Sequence, residues 1–202
     1  MKKLLILALA VVGASAQATI YVFNSGPVTI PASGPATPNP IVFAVGALDG
    51  LLNNVSISYQ GLSHTFPDDI GSVLFNPADT GTWLFDGPGG GEDLLGVTWN
   101  LDDSFAAALT DVGPNPSGNY KPGQNQYSDI FTGAPAGPYG TTFSVYNGTN
   151  GTGNWRVFLE DFVGGDSGSV QNIQLTLSTV PEPATMAALG LGVVALLRRR
   201  RK

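Results

Sequence analysis

The chain has 202 residues, no cysteine, a single histidine, and 15 acidic against nine basic residues. No disulfide can form, and one histidine without cysteine cannot supply a zinc centre of the usual nitrogen and sulfur ligands. Seven of the nine cations sit at the two ends, so between the ends only Lys121 and Arg156 face 14 acids, a net charge of −12 that repels nucleic acid and other anionic polymers.

Residues 1–18 read as a secretory signal peptide. Lys2 and Lys3 precede an uncharged apolar run from Leu4 to Val12, and the small residues of Ala14-Ser15-Ala16 and Ala16-Gln17-Ala18 suit a signal peptidase. The run is too short to span a bilayer as a relaxed helix. Residues 19–179 are long enough for one domain with a substantial core.

Within that domain the chain alternates apolar and polar residues with a period of two, the mark of strands with one buried face. Ile20 to Phe23 and Ile41 to Val45 come first. Val55, Ile57 and Tyr59 then alternate with Ser56, Ser58 and Gln60. Val73 to Phe75 and Thr82 to Phe85 are short apolar runs suited to strands covered on both faces. Alternation returns at Val97, Trp99 and Leu101, at Trp155, Val157 and Leu159, and at Ile173, Leu175 and Leu177. Trp83, Trp99 and Trp155 fall in these runs and are expected in the core. The one helical pattern is Asp102 to Leu109, with Asp102-Asp103-Ser104 as its cap. Glycines and prolines punctuate the runs, and Pro31, Pro35, Pro38 and Pro40 mark a loop or sheet edge. Together these elements predict an all-β, antiparallel sandwich.

Residues 180–202 form a separate segment. Val180-Pro181-Glu182-Pro183 precedes an apolar stretch, Ala184 to Leu197, and the cationic cluster Arg198 to Lys202. The stretch predicts a single transmembrane helix, short enough to need a locally thinned bilayer. The cations that follow resist translocation and stay cytoplasmic, with the domain outside. In its order and composition this segment resembles the PEP-CTERM sorting signal of Gram-negative bacteria. The resemblance implies recognition by an exosortase, which processes the chain near Pro181-Glu182-Pro183, transit through the inner membrane with the domain in the periplasm, and delivery to the cell surface or beyond. It also implies a cell that makes exopolysaccharide.

Two segments of the domain carry a second resemblance. The first runs from Ser63-His64-Thr65-Phe66-Pro67-Asp68-Asp69-Ile70 through Val73-Leu74-Phe75-Asn76-Pro77 to Gly89-Gly90-Gly91-Glu92-Asp93. The second runs from Phe143-Ser144-Val145-Tyr146-Asn147-Gly148 through Gly153-Asn154-Trp155-Arg156-Val157-Phe158-Leu159-Glu160-Asp161 to Gly165-Asp166-Ser167-Gly168. Over about residues 50–178 the chain resembles the P domain found beside subtilisin-like proprotein convertases. The resemblance implies a jelly-roll-like sandwich. With no protease domain ahead of it, a chaperone role toward a catalytic neighbour is not expected.

Asp68 and Asp69, Glu92 and Asp93, and Asp161 with Asp166 fall in three loops that a jelly roll brings toward one end. Carboxylates on glycine-rich loops suit calcium, which takes six to eight oxygens, and the P-domain resemblance favours such a site. Their spacing does not match an EF-hand. Gly165-Asp166-Ser167-Gly168, preceded by His64 and by Asp102 or Asp103, has the residue order of a chymotrypsin-like triad, but the sequence contexts do not match, and a triad needs histidine between serine and carboxylate. His64 is expected to serve backbone structure. No catalytic residue is expected. The function expected is that of a non-catalytic surface or matrix module, with exopolysaccharide or another surface protein as partner. The alternatives are a lectin-like carbohydrate binder and a regulator of an exported subtilisin-like protease.

Overall fold

The computed structural model describes residues 17–124 and 130–180. The expected signal peptide (apart from residues 17 and 18), the Pro181-Glu182-Pro183 motif, the helix at 184–197 and the cationic end therefore lie outside the described residues. Among the described residues no helix is long and apolar enough to cross a membrane.

Two open sheets enclose one core. The larger runs in the order β1 (Thr19–Asn24), β13 (Asn172–Val180), β5 (Leu51–His64), β8 (Leu94–Leu101), β10 (Gly118–Lys121) and β9 (Ala107–Ala108), with β12 (Gly168–Val170) bridging β5 to β2 (Val28–Ile30). The smaller runs β3 (Gly34–Pro35), β11 (Gly153–Asp161), β6 (Ile70–Phe75) and β7 (Gly81–Asp86), with β4 (Ile41–Val45) paired to the first half of β11. The alternating runs supply the shared core: Val55, Ile57, Tyr59, Trp99, Leu101, Ile173, Leu175 and Leu177 from the larger sheet meet Phe43, Leu74, Phe85, Trp155, Val157 and Leu159 from the smaller. Tyr59 and Ser72 share a buried hydroxyl–hydroxyl hydrogen bond of 2.5 Å across this core, and Ser72 Oγ donates to the Phe158 carbonyl. Trp83, Trp99 and Trp155 are all buried, as expected.

The outer faces of the two sheets differ. On the smaller sheet, Val73, Phe75, Trp83 and Phe158 form a second apolar cluster, roofed by Phe131, with Ala134, Tyr139 and Phe162 packed at its edge. This explains why β6 is buried throughout and β7 from Thr82 onward, so that Val73 to Phe75 and Thr82 to Phe85 read as short apolar runs. The outer face of the larger sheet has no such roof. Asn54, Ser56, Ser58 and Gln60 on β5 and Gln174, Thr176 and Ser178 on β13 stay half-exposed.

Two expectations are corrected. The sandwich is not wholly antiparallel, because β10 pairs in parallel with both β8 and β9. The helix expected over Asp102 to Leu109 is absent. Asp102 Oδ1 accepts the Ser104 N–H at 2.8 Å, and Phe105 N–H bonds to the Asp102 carbonyl, closing a turn. Asp103 is drawn elsewhere, accepting the N–H groups of Phe143 and Ser144. The cap chemistry is present, but it closes a turn that leads to the edge strand β9, since Asp and Ser side chains compete for backbone donors as well in turns as at helix ends.

Candidate functional site

The acidic end of the sandwich is created by one irregularity in β5. From Val55 to Tyr59 the odd-numbered residues point inward. At Gln60-Gly61 the register with β8 shifts, and beyond it Leu62 and His64 are the buried ones. Gly61 makes this bulge possible. It sits at φ 65°, and a Cβ there would lie 2.5 Å from the Gln171 side chain. The bulge turns His64 into the interior, where simple alternation would have left it outside beside Ser56 and Ser58.

There the His64 ring is 1% exposed and both nitrogens are engaged. Nδ1 accepts the Phe66 N–H at 3.2 Å, so the ring proton sits on Nε2, which donates to Asp161 Oδ2 at 3.1 Å. The other oxygen, Asp161 Oδ1, accepts the Val163 N–H. Burial pushes the Asp161 carboxyl above the usual carboxylate range, while the Val163 N–H and His64 hold it down and Asp166 adds to the rise. Asp69 lies in the 3-10 turn Pro67–Asp69, whose backbone carbonyl accepts the Phe162 N–H. Its carboxyl is pushed up to about 6, chiefly by burial and then by the charges of Asp161, Asp166 and Asp68, with His64 acting in the opposite direction.

Four of the six carboxylates singled out from the sequence thus converge: Asp68, Asp69, Asp161 and Asp166. Glu92 and Asp93 are exposed on the neighbouring glycine-rich loop and are not among the charges acting on Asp69 or Asp161. The residues present do not form a ready calcium cage. Both oxygens of Asp161 are committed to protein donors, and among the described residues no group of three or more His, Asp or Glu side chains is arranged to hold a metal.

The triad-like residue order also resolves into something else. His64 gives neither nitrogen to Ser167, and Asp102 is occupied by Asn54 and by the Ser104 N–H. Gly165 and Gly168 serve the backbone in two ways. Gly165 has φ 126° in the turn, whereas Gly168 pairs with His64 so closely that a Cβ would lie 2.2 Å from the Ser63 carbonyl oxygen. Sequence reading missed the His64–Asp161 pair. The glycine inside the β5 run was the one available signal, since an isolated glycine in a strand pattern marks a bulge.

At the opposite limit of the chain, β13 stays paired with β5 to its last residue, Val180 opposite Leu51, across a register shift between Ser178 and Thr179, and Thr179 is fully buried with its hydroxyl on Asp49. Of the four-residue motif, only Val180 falls among the described residues. The molecule is therefore an all-β, two-sheet domain that passes without a break into its C-terminal segment. That segment is what the comparisons recognise: the family model of the PEP-CTERM protein-sorting motif matches residues 179–202, which indicates exosortase-dependent sorting of an exported protein to the cell surface. A search of curated proteins returned no match to the chain.

Proposed function

We propose that the chain is a non-catalytic module of the cell surface or extracellular matrix, a jelly-roll-like sandwich of P-domain type carried through the inner membrane and processed by an exosortase. The observation that carries this reading is the junction at residue 179. The sorting motif begins inside β13, a strand held between β1 and β5, so the sorted cargo is the folded sandwich itself. A non-catalytic role is supported by the His64 ring, both of whose nitrogens are tied to structural partners. The acidic domain suits a hydrated exterior and disfavours nucleic acid.

Labelling of intact cells tests it. Lys121 is exposed and is the one lysine between the terminal segments. A membrane-impermeant amine reagent should modify the protein in intact cells at Lys121. Modification seen only after lysis would overturn a surface location.

A further inference from the structure

We propose that the open outer face of the larger sheet binds a neutral polysaccharide, along a row of amide and hydroxyl side chains formed by Asn24, Gln174, Ser58, Asn100 and Asn119. This deepens the surface-module reading above and rests on it. The five residues come from five neighbouring strands and stand in one register: Asn24 opposite Gln174, Gln174 opposite Ser58, Ser58 opposite Asn100, Asn100 opposite Asn119. Four interstrand spacings of about 4.8 Å make the row roughly 19 Å long.

The row is ordered by its own hydrogen bonds. Gln174 donates to Asn24 Oδ1 at 3.1 Å, Ser58 to Asn100 Oδ1 at 2.8 Å, and Asn100 to Asn119 Oδ1 at 2.9 Å. Fixing these rotamers in advance lowers the entropy lost when a ligand docks. Four of the row residues, Ser58, Asn100, Asn119 and Gln174, line a groove of about 240 Å³ together with Ser56, Thr176, Asp102 and the half-buried Phe105. Hydroxyls and amides both donate and accept, which matches the mixed donors and acceptors of a sugar chain, and an aromatic edge suits the apolar face of a sugar ring.

Charge selects the ligand class. In a domain with 14 acids and two cations, none of the five row residues is ionisable. Two charges lie close to it: Asp102 lines the groove, and Lys121 follows Asn119 on the same face of β10. Asp102 is engaged by Asn54 and Ser104 N–H. Asp103 is turned to the backbone of Phe143 and Ser144. The row has no cationic side chain to hold a phosphate or uronate polymer, and the acidic domain around it repels one. A protein partner would need an apolar centre to bury, and the row supplies amides and hydroxyls instead. Over β6 and β7 the outer face of the smaller sheet is covered by the aromatic roof.

Affinity electrophoresis of the purified full-length chain in mild detergent tests the proposal, with dextran, β-glucan or galactomannan cast in the gel and alginate or polygalacturonate as acidic counterparts. At least one neutral polymer should retard the protein. The triple variant Ser58→Ala, Gln174→Ala, Asn100→Ala should weaken that retardation by about tenfold or more, since each lost hydrogen bond costs on the order of 0.5–1.5 kcal/mol and 1.4 kcal/mol is tenfold. Asn154→Ala, exposed on the smaller sheet, should leave it unchanged. Should the triple variant melt early, Thr176→Gln fills the groove from a half-exposed position and serves in its place. Retardation by acidic polymers alone, by none, or equally in wild type and face variants would overturn the proposal. The surface location would still stand or fall by the labelling of Lys121, so the two failures are separable.

Discussion

Asp69→Asn isolates the electrostatics of the acidic end. Asp69 as a residue is 9% exposed, and its carboxyl is raised from 3.8 to about 6 and makes no side-chain hydrogen bond among the described residues. A raised folded-state pKa means that its stabilising contribution is fully present below about pH 3.8, where it is protonated folded and unfolded alike, and is lost as pH rises through about 6. A shift of that size corresponds to at most about 3 kcal/mol at roughly 1.4 kcal/mol per unit, and water reaching the exposed edge reduces the expected effect to about 1–2 kcal/mol. Asparagine keeps the shape and removes the charge, while the backbone bonds of the turn to Phe66 and Phe162 remain. In urea denaturation, Asp69→Asn should exceed the wild type by about 1–2 kcal/mol at pH 7.5, with the gap closing toward pH 4. A variant no more stable than wild type at pH 7.5, or a difference that is the same at both pH values, would refute the account of a carboxyl raised by burial and by its neighbours' charges.

Gly168→Ala should be far more damaging than Gly165→Ala. The first drives a methyl into the Ser63 carbonyl and the His64 ring, and overpacking of about 3 kcal/mol in a domain of this size lowers the Tm by roughly 6–12 °C. The second only imposes a left-handed backbone on alanine in open space, a cost of about 1 kcal/mol; equal losses would contradict the packing role given to Gly168. Melting with calcium and with chelator should give superimposable curves, because both Asp161 oxygens accept protein donors and no ligand set is assembled among the described residues. A calcium-dependent rise of several degrees would show that the loops of Asp68, Asp166, Glu92 and Asp93 rearrange around the ion.

Much of the architecture was legible from alternation. The run at Ile41 to Val45 coincides with β4, and Val97 to Leu101 and Ile173 to Leu177 lie inside β8 and β13. What escaped were elements held by tertiary contacts. The two residues of β9 and four of β10 are too short to show a period, and their parallel pairing is set by the chain returning from the Asp102 turn. His64 and Asp161 sit 97 residues apart in sequence, and the bulge that joins them is marked by a single glycine. The four converging carboxylates could be anticipated as a group because they flank consecutive strand ends. How their oxygens are used could not, because it depends on where the Val163 N–H and the His64 ring point. The polar residues of the larger sheet were visible as the outward half of the alternation, but their alignment across five strands is a property of register alone.

The most direct check is the intact mass of the protein recovered from the cell surface. With β13 held between β1 and β5 and Thr179 buried, processing should leave a chain whose last residue is Val180 or lies beyond it but short of Lys202. A surface form ending within Asn172 to Thr179 would mean that the sheet survives without its second strand. Full-length chain confined to the cytosol would contradict sorting through this motif altogether.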